Sequence, residues 1–403
     1  MNAPDHLPAT PVTGTASPGA GAPPGRGEDA GQVSAVRAAL PRAVGGGLAV
    51  IVLGCLPLLA LTIPGVLPGY TYEPGTLQLL GLCWLTAALA LTYHLLLGVV
   101  GLLSFGHALY FAAGVYGLAV VLERTDIPLL PAAAVVLAGG VLLAGVIGAI
   151  SLRVTGISFA MVTLAFAQAG NVLVRRDPAD LTGGEEGIAL ATGGVPDAFV
   201  GVVNTRNLYW VALAVLVVTY LVALWIERSR AGHMAAAVRE NETRVRIIGG
   251  RPYVVKLVVF VLAATLATMV GTAYLLLQSG ASPAVSTADF TLTILVMVVL
   301  GGVGSRWGAV VGAVLYTVLD QRLGEFAGSE AVAGLPAVLR VPLSEPMFLL
   351  GTCFILVVMF LPGGIAGAAS RAVDRVRRRG PRGPGGQGSA GPGERPVAEA
   401  VPS

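Results

Sequence analysis

Runs of about twenty apolar residues, the length that crosses a hydrocarbon layer of roughly 30 Å, recur along most of this chain. That recurrence constrains the fold more than any single motif. The segments lie at about 44–68, 76–97, 98–122, 129–151, 156–174, 208–226, 253–279, 289–303, 305–320 and 346–362. With 55% hydrophobic and only 12% charged residues, against roughly a quarter charged in a soluble domain, the chain lacks the polar side chains that cover a water-facing exterior. In lipid every backbone polar group must be satisfied internally. No segment alternates with the two-residue period of a barrel strand. The expected fold is therefore all-α, a polytopic transmembrane helix bundle of about 8–10 spans.

Charge placement orders these spans. The region 1–41, rich in Pro, Gly, Ala and Thr without an apolar core, reads as a disordered tail, and the Arg-rich region 368–403 reads as a second one. Between them, 42–367 forms the membrane domain. Its richest basic stretch, 227–252, carries Arg228, Arg230, Arg239, Arg244, Arg246 and Arg251. The positive-inside rule places that loop and both tails in the cytoplasm, and an even number of segments on each side of the loop agrees with it. The net charge of +3 then follows from topology and gives no reason to expect a nucleic-acid partner. The opposite face receives 175–207 and 321–345. Cys55, Cys83 and Cys353 stand alone in apolar runs, without metal-ligand spacing.

Four segments carry chemistry. In 227–252, Met234, Val238, Val245 and Ile248 recur at helical spacing, Glu242 and Arg246 form an i, i+4 pair, and Gly249-Gly250 before Pro252 stops the helix. Such a helix either rests on lipid headgroups or receives force from a soluble partner. In 103–117, small residues allow close backbone approach while Ser104, His107 and Tyr110 bring polar atoms to membrane depth. In 156–172, Thr163, Gln168 and Asn171 interrupt an apolar helix, with Gln168 and Asn171 on a shared face. These six residues are candidates to line a polar path, or else cross-link helices. The following LTGGEEGI stretch holds Thr182, Gly183, Gly184 and Gly187, whose backbone amides are candidates to meet a ligand carboxylate. In 296–316, five glycines flank a bend at Arg306.

The segments GLLSFGHALYFAAGVY, GISFAMVTLAFAQ, LTGGEEGI, VRENETRVRIIG, ILVMVVLGGVGSRWGAVVGA and FLPGGIAG, in that order over roughly 76–367, resemble the permeases of high-affinity branched-chain amino acid ABC transporters, the LivM-type family. The resemblance implies an importer subunit in a bacterial cell membrane. Its partners would be a second permease subunit, two cytoplasmic ATP-binding subunits and an extracytoplasmic solute-binding protein. It places Arg239, Glu240, Asn241 and Glu242, with Gly232 and Gly249 on either side, in a loop that couples to the ATPase. Urea and short amides are the alternative cargo.

The rival classes fit less well. A secondary transporter places carboxylates near the midplane, whereas here Asp and Glu are almost confined to loops and tails, Asp320 near a helix end being the ambiguous case. A membrane enzyme would need a motif such as HExxH or GxSxG, and neither is present. The single lysine, Lys256, has no phosphate-loop glycine or hydroxyl beside it, so ATP hydrolysis is left to a partner. No cofactor or metal is expected.

Overall fold

The computed structural model describes residues 51–59, 61, 68–328, 345–360, 363–368 and 371. The N-terminal tail, most of the first apolar segment and nearly all of the C-terminal tail lie outside the described residues. Met1–Cys55 separates from Leu56–Ser403. Of the first unit only a helical turn at 51–55 is described, with Ile51 and Val52 exposed.

The second unit is an all-helical bundle, as expected. Its centre is α1, Pro74–His94, which continues as a π-helical turn through Leu95–Val100. A helix that is apolar on every side can be enclosed by lipid or by other helices, and α1 is enclosed by helices. The other helices accordingly wrap α1 so closely that Cys83, Ala87, Ala88, Leu91 and Tyr93 are inaccessible. Against it lie α5 (Thr205–Arg228), α8 (Pro252–Gln278), α9 (Ala288–Gly301) and α10 (Arg306–Ala327), while α2 (His107–Arg124) packs on α8 and meets α1 at His107. Gly114 of α2 faces the backbone of Thr268 in α8, and Gly271 of α8 faces that of Phe111, leaving no room for a methyl at either crossing point.

Two further helices, α3 (Leu129–Ser151) and α4 (Ile157–Arg176), form the periphery. Leu130, Leu142 and Ile157 point outward from them, as a lipid-facing surface requires. A short pair, α6 (Arg230–Glu240) and α7 (Glu242–Ile247), connects α5 to α8, and α11 (Pro346–Phe360) follows α10. At the end of the bundle opposite α6 and α7, β1 (Ile188–Ala189) pairs antiparallel with β2 (Gly280–Ala281).

Among the described residues, five helical tracts are long and apolar enough to span, or six if α9 and α10 count as one. This is fewer than 8–10, for identifiable reasons. The stretch 98–100 stays in the π turn of α1 and 101–106 is irregular, so the expected segment 98–122 shrinks to the 18-residue α2, which begins at His107 and ends at Arg124. The segments 289–303 and 305–320 meet at a bend of 119°, with only 14 residues in α9. That is about 21 Å at 1.5 Å per residue. Because α10 runs on to Ala327, Asp320 lies about two turns inside a helix and not near its end.

Candidate functional site

The coupling segment is built by two caps. The Ser229 hydroxyl accepts from the Gly232 amide at 3.2 Å to start α6, and the Asn241 side chain accepts from the Arg244 amide at 2.9 Å to start α7. This corrects the expectation of one amphipathic helix through Met234, Val238, Val245 and Ile248. Asn241 is extended, so the helical phase restarts there. Val238 and Val245 are 4% and 3% exposed, while Ile247 and Ile248 swing out to 80% and 75%. Gly249, at φ +84°, ends the unit as the glycine pair predicts.

Each expected coupling residue has a definite place. Gly232 presses on the backbone of Ile226 and Glu227, where no side chain fits. Arg239 donates to the Gly98 carbonyl in the π turn of α1, so α6 is fastened to the central helix. Glu240 faces the cleft described below. Glu242 accepts from Arg246 at 2.6 Å and from Lys256 at 2.5 Å. Partial burial pushes its carboxyl upward, but the Lys256 hydrogen bond and charge, followed by those of Arg246, outweigh this and hold it below the usual carboxylate range.

Beside this unit opens a cleft of about 630 Å³, lined by His94, Glu227, His233, Arg239, Glu240 and Arg306 among others. Glu227, at the end of α5, bonds His94 Nε2 and Arg306 Nε, each at 3.2 Å. The Arg306 guanidinium also lies 5.7 Å from the Tyr220 ring centre. Among the described residues, His94 Nδ1 and one terminal nitrogen of Arg306 have no partner. Sequence reasoning marked the bend at Arg306 but missed Glu227 and His94; a lone arginine inside a glycine-rich apolar run was the available signal. The bend itself rests on glycine, since Gly302 has φ +111° and Gly301 meets the Gly308 backbone.

Ser104, His107, Tyr110 and Thr163 do come together, at the other interruption, 101–106. The Phe105 amide donates to Thr163 Oγ1 at 3.1 Å, the Gly106 amide to Ser104 Oγ at 3.3 Å, and the Ala108 amide to Thr291 Oγ1 at 3.0 Å. Tyr93 donates its hydroxyl to the Ser104 carbonyl at 3.0 Å. His107 is fully buried, with Nε2 2.8 Å from Thr92 Oγ1 and the rings of Tyr93 and Tyr110 against it. This is how irregular backbone survives at membrane depth. None of the four lines a described cavity. Gln168 and Asn171 part company: Asn171 is buried and donates to Ser286 Oγ at 2.7 Å, whereas Gln168 is exposed.

At the strand end, the amides of Leu181, Thr182 and Gly183 all donate to the Asp177 carboxylate, at 2.6, 2.9 and 2.9 Å. Gly183, Gly184 and Gly187 have positive φ, as the sequence anticipates, and the Thr182 hydroxyl donates to the Val174 carbonyl at 2.7 Å. The loop closes on its own carboxylate, and those amides are not open to a ligand. The Thr182 amide above all holds the Asp177 carboxyl below its ordinary value; desolvation opposes it, and the Leu181 amide, the Thr182 side chain and the Gly183 amide add to the lowering.

A bundle of apolar spans with two broken helices and a polar helix pair at one end is the build of a multi-pass membrane permease. Residues 75–368 match the family described as the permease component of branched-chain amino acid transport systems, and the chain belongs to that family. It is 28% identical over 294 residues to the high-affinity branched-chain amino acid transport system permease protein LivM of Escherichia coli (strain K12), covering 67% of this chain and 68% of that protein. The LivM protein of Salmonella typhimurium is 28% identical over 297 residues, with the same coverage. No solved structure matches.

Proposed function

We propose that the chain is one of two membrane-spanning subunits of an ABC importer that carries branched-chain amino acids into a bacterial cell. Two cytoplasmic ATP-binding subunits drive it and an extracytoplasmic solute-binding protein delivers the cargo. The observation that carries the reading, beside family membership, is the α6–α7 elbow. It presents Ile247 and Ile248 outward while Arg239 fastens its inner side to the π turn of α1. A partner that grips the exposed isoleucines and moves with nucleotide pulls directly on the helix around which the bundle is built.

The basic side chains of this loop face the cytoplasm, and both termini lie on the same side. Support comes from α9 and α10, which reverse direction at their 119° bend. As a hairpin or a re-entrant pair they add an even number of crossings, so that α8 and α11, each crossing once, return the chain to the side of the loop.

Replacing Ile247 and Ile248 together by Glu tests the elbow. The expected result is loss of co-purification with the ATP-binding subunits and loss of uptake, with membrane insertion intact. Undiminished ATPase association and uptake would remove the coupling role. Uptake of labelled leucine, urea and short amides in a strain lacking this gene decides the cargo, with leucine alone expected to depend on the chain.

A further inference from the structure

A second cavity, of about 280 Å³, lies between α1, α2, α8, α9 and α10, and no residue expected from the sequence to line a path borders it. Its position is toward the strand end of the bundle. Gln278, the last residue of α8, lines it and accepts from Gln78 near the start of α1 at 3.1 Å. The size sits at the lower limit of small-molecule pockets, which begin at roughly 300 Å³.

The lining falls into two parts. One is apolar and aromatic, with Phe111, Phe290 and Met297. The other is polar and gathered on one side of α10, with Tyr316, Thr317 and Asp320. Thr317 is held by Thr86 of α1, their hydroxyl oxygens 2.8 Å apart. Asp320 is the only charged side chain among the described lining residues, and it makes no ion pair among the described residues. A carboxylate inside a helix bundle is expensive unless a cation meets it.

We propose that Asp320 receives the ammonium group of the transported amino acid, with its branched apolar side chain against Phe111 and Phe290. The cavity is then a way station between the external face and the cleft at Glu227. This rests on reading the chain as an amino acid permease, and it adds the chemical group the membrane subunit recognises. The carboxylate accepts hydrogen bonds from the ammonium. An uncharged amide such as urea can donate hydrogen bonds to Asp320 but brings no charge to offset the carboxylate.

The test uses the complete importer. In cells, Asp320→Asn should reduce labelled leucine uptake by about tenfold or more, since a buried polar group left without its partner discriminates strongly. Asp320→Glu should recover part of it. In the purified wild-type complex, 3-methylbutylamine, which keeps the amine and the branched chain, should raise the melting temperature, and 4-methylpentanoate, which keeps the carboxylate and the branched chain but lacks the amine, should not. Asp320→Asn should abolish the amine effect. Leucine uptake by the Asn variant at the wild-type rate overturns the assignment and leaves the importer reading standing. Absence of leucine uptake in the wild type overturns both. Should the Asn variant fail to assemble, the wild-type ligand comparison decides, and an amine that gives no stabilisation overturns the assignment.

Discussion

The bundle is interrupted twice near its coupling end, at 101–106 and at 302–305, and the two breaks are finished in opposite ways. At the first, the amides of Phe105, Gly106 and Ala108 each meet a hydroxyl, from Thr163, Ser104 and Thr291, and His107 is sealed under two tyrosine rings. At the second, Arg306 shares Glu227 with His94 beside the open cleft, and each side chain keeps a nitrogen without a partner among the described residues. A break whose amides at 105, 106 and 108 each meet a fixed hydroxyl is tied into one arrangement, although His107 Nδ1 has no partner among the described residues. A break with charges at a cleft and spare hydrogen-bonding capacity can exchange partners as the cleft opens and closes. The first break is built to hold the fold, the second to move.

The largest effect is expected at the open break. Glu227→Gln removes the anion that Arg306 and His94 share. Glu227 and Arg306 are each only 24% exposed, so the cost should be about 2–3 kcal/mol, at or below the range for a broken buried pair. Uptake should fall well beyond what lost stability explains, which comparison of uptake per assembled transporter with unfolding in detergent will measure. Uptake in proportion to the folded fraction would erase the distinction between the breaks. At the sealed break, Thr163→Val strands the Phe105 amide and should cost about 1–3 kcal/mol, seen as a lowered unfolding temperature. Uptake per assembled transporter should stay within about twofold of wild type, because less than half a kcal/mol separates such rates.

The two breaks also differ in how far the sequence discloses them. The glycine-rich run around Arg306 announces a bend, and α3 occupies the 129–151 that apolarity marks out. Local composition is enough for both. The seal on the first break joins residues 58 and 183 positions apart, and only the folded bundle brings those hydroxyls to the amides. The same limit hid the Glu227 pair and the cavity at Asp320, whose helix outlasts its apolar segment. Within the coupling loop the residue types were readable but the phase was not. Asn241 serves as a helix start, and one extended residue is enough to turn Ile248 from the core to solvent.

A third loop, at the far end, extends the comparison with a smaller effect. Asp177 closes the 181–183 turn with its own carboxylate, and its folded value is depressed. A depressed carboxylate contributes stability above its ordinary value of 3.8 and loses it as pH falls below that value through the folded one. Amide hydrogen exchange of 181–183 should therefore show protection at about pH 6 that fades toward about pH 3. Asp177→Asn should remove that pH dependence and leave transport unaltered. Protection that persists in the Asn variant would mean that the glycine backbone, and not the carboxylate, holds the turn.

The smallest effect should come from Gln168, and the reason lies in the geometry of α4. The helix buries Thr163, Ala167 and Asn171, a row spaced by four residues that forms one ridge against the bundle. Gln168 follows Ala167 by one residue, about 100° around the helix, and points away from the ridge. Three-residue spacing from Asn171 put the two on neighbouring faces, but only Asn171 reaches the core, where it bonds Ser286. Gln168→Leu should thus change stability by less than about 0.5 kcal/mol and leave leucine uptake within about twofold. Asn171→Leu removes the bond that Ser286 Oγ accepts, leaving its donation to the Pro283 carbonyl, and should cost more, about 1 kcal/mol. If Gln168→Leu proved the more damaging, the outward face of α4 would have to meet a partner subunit in the assembled importer, and the polar work of this helix would lie outside the bundle and not within it.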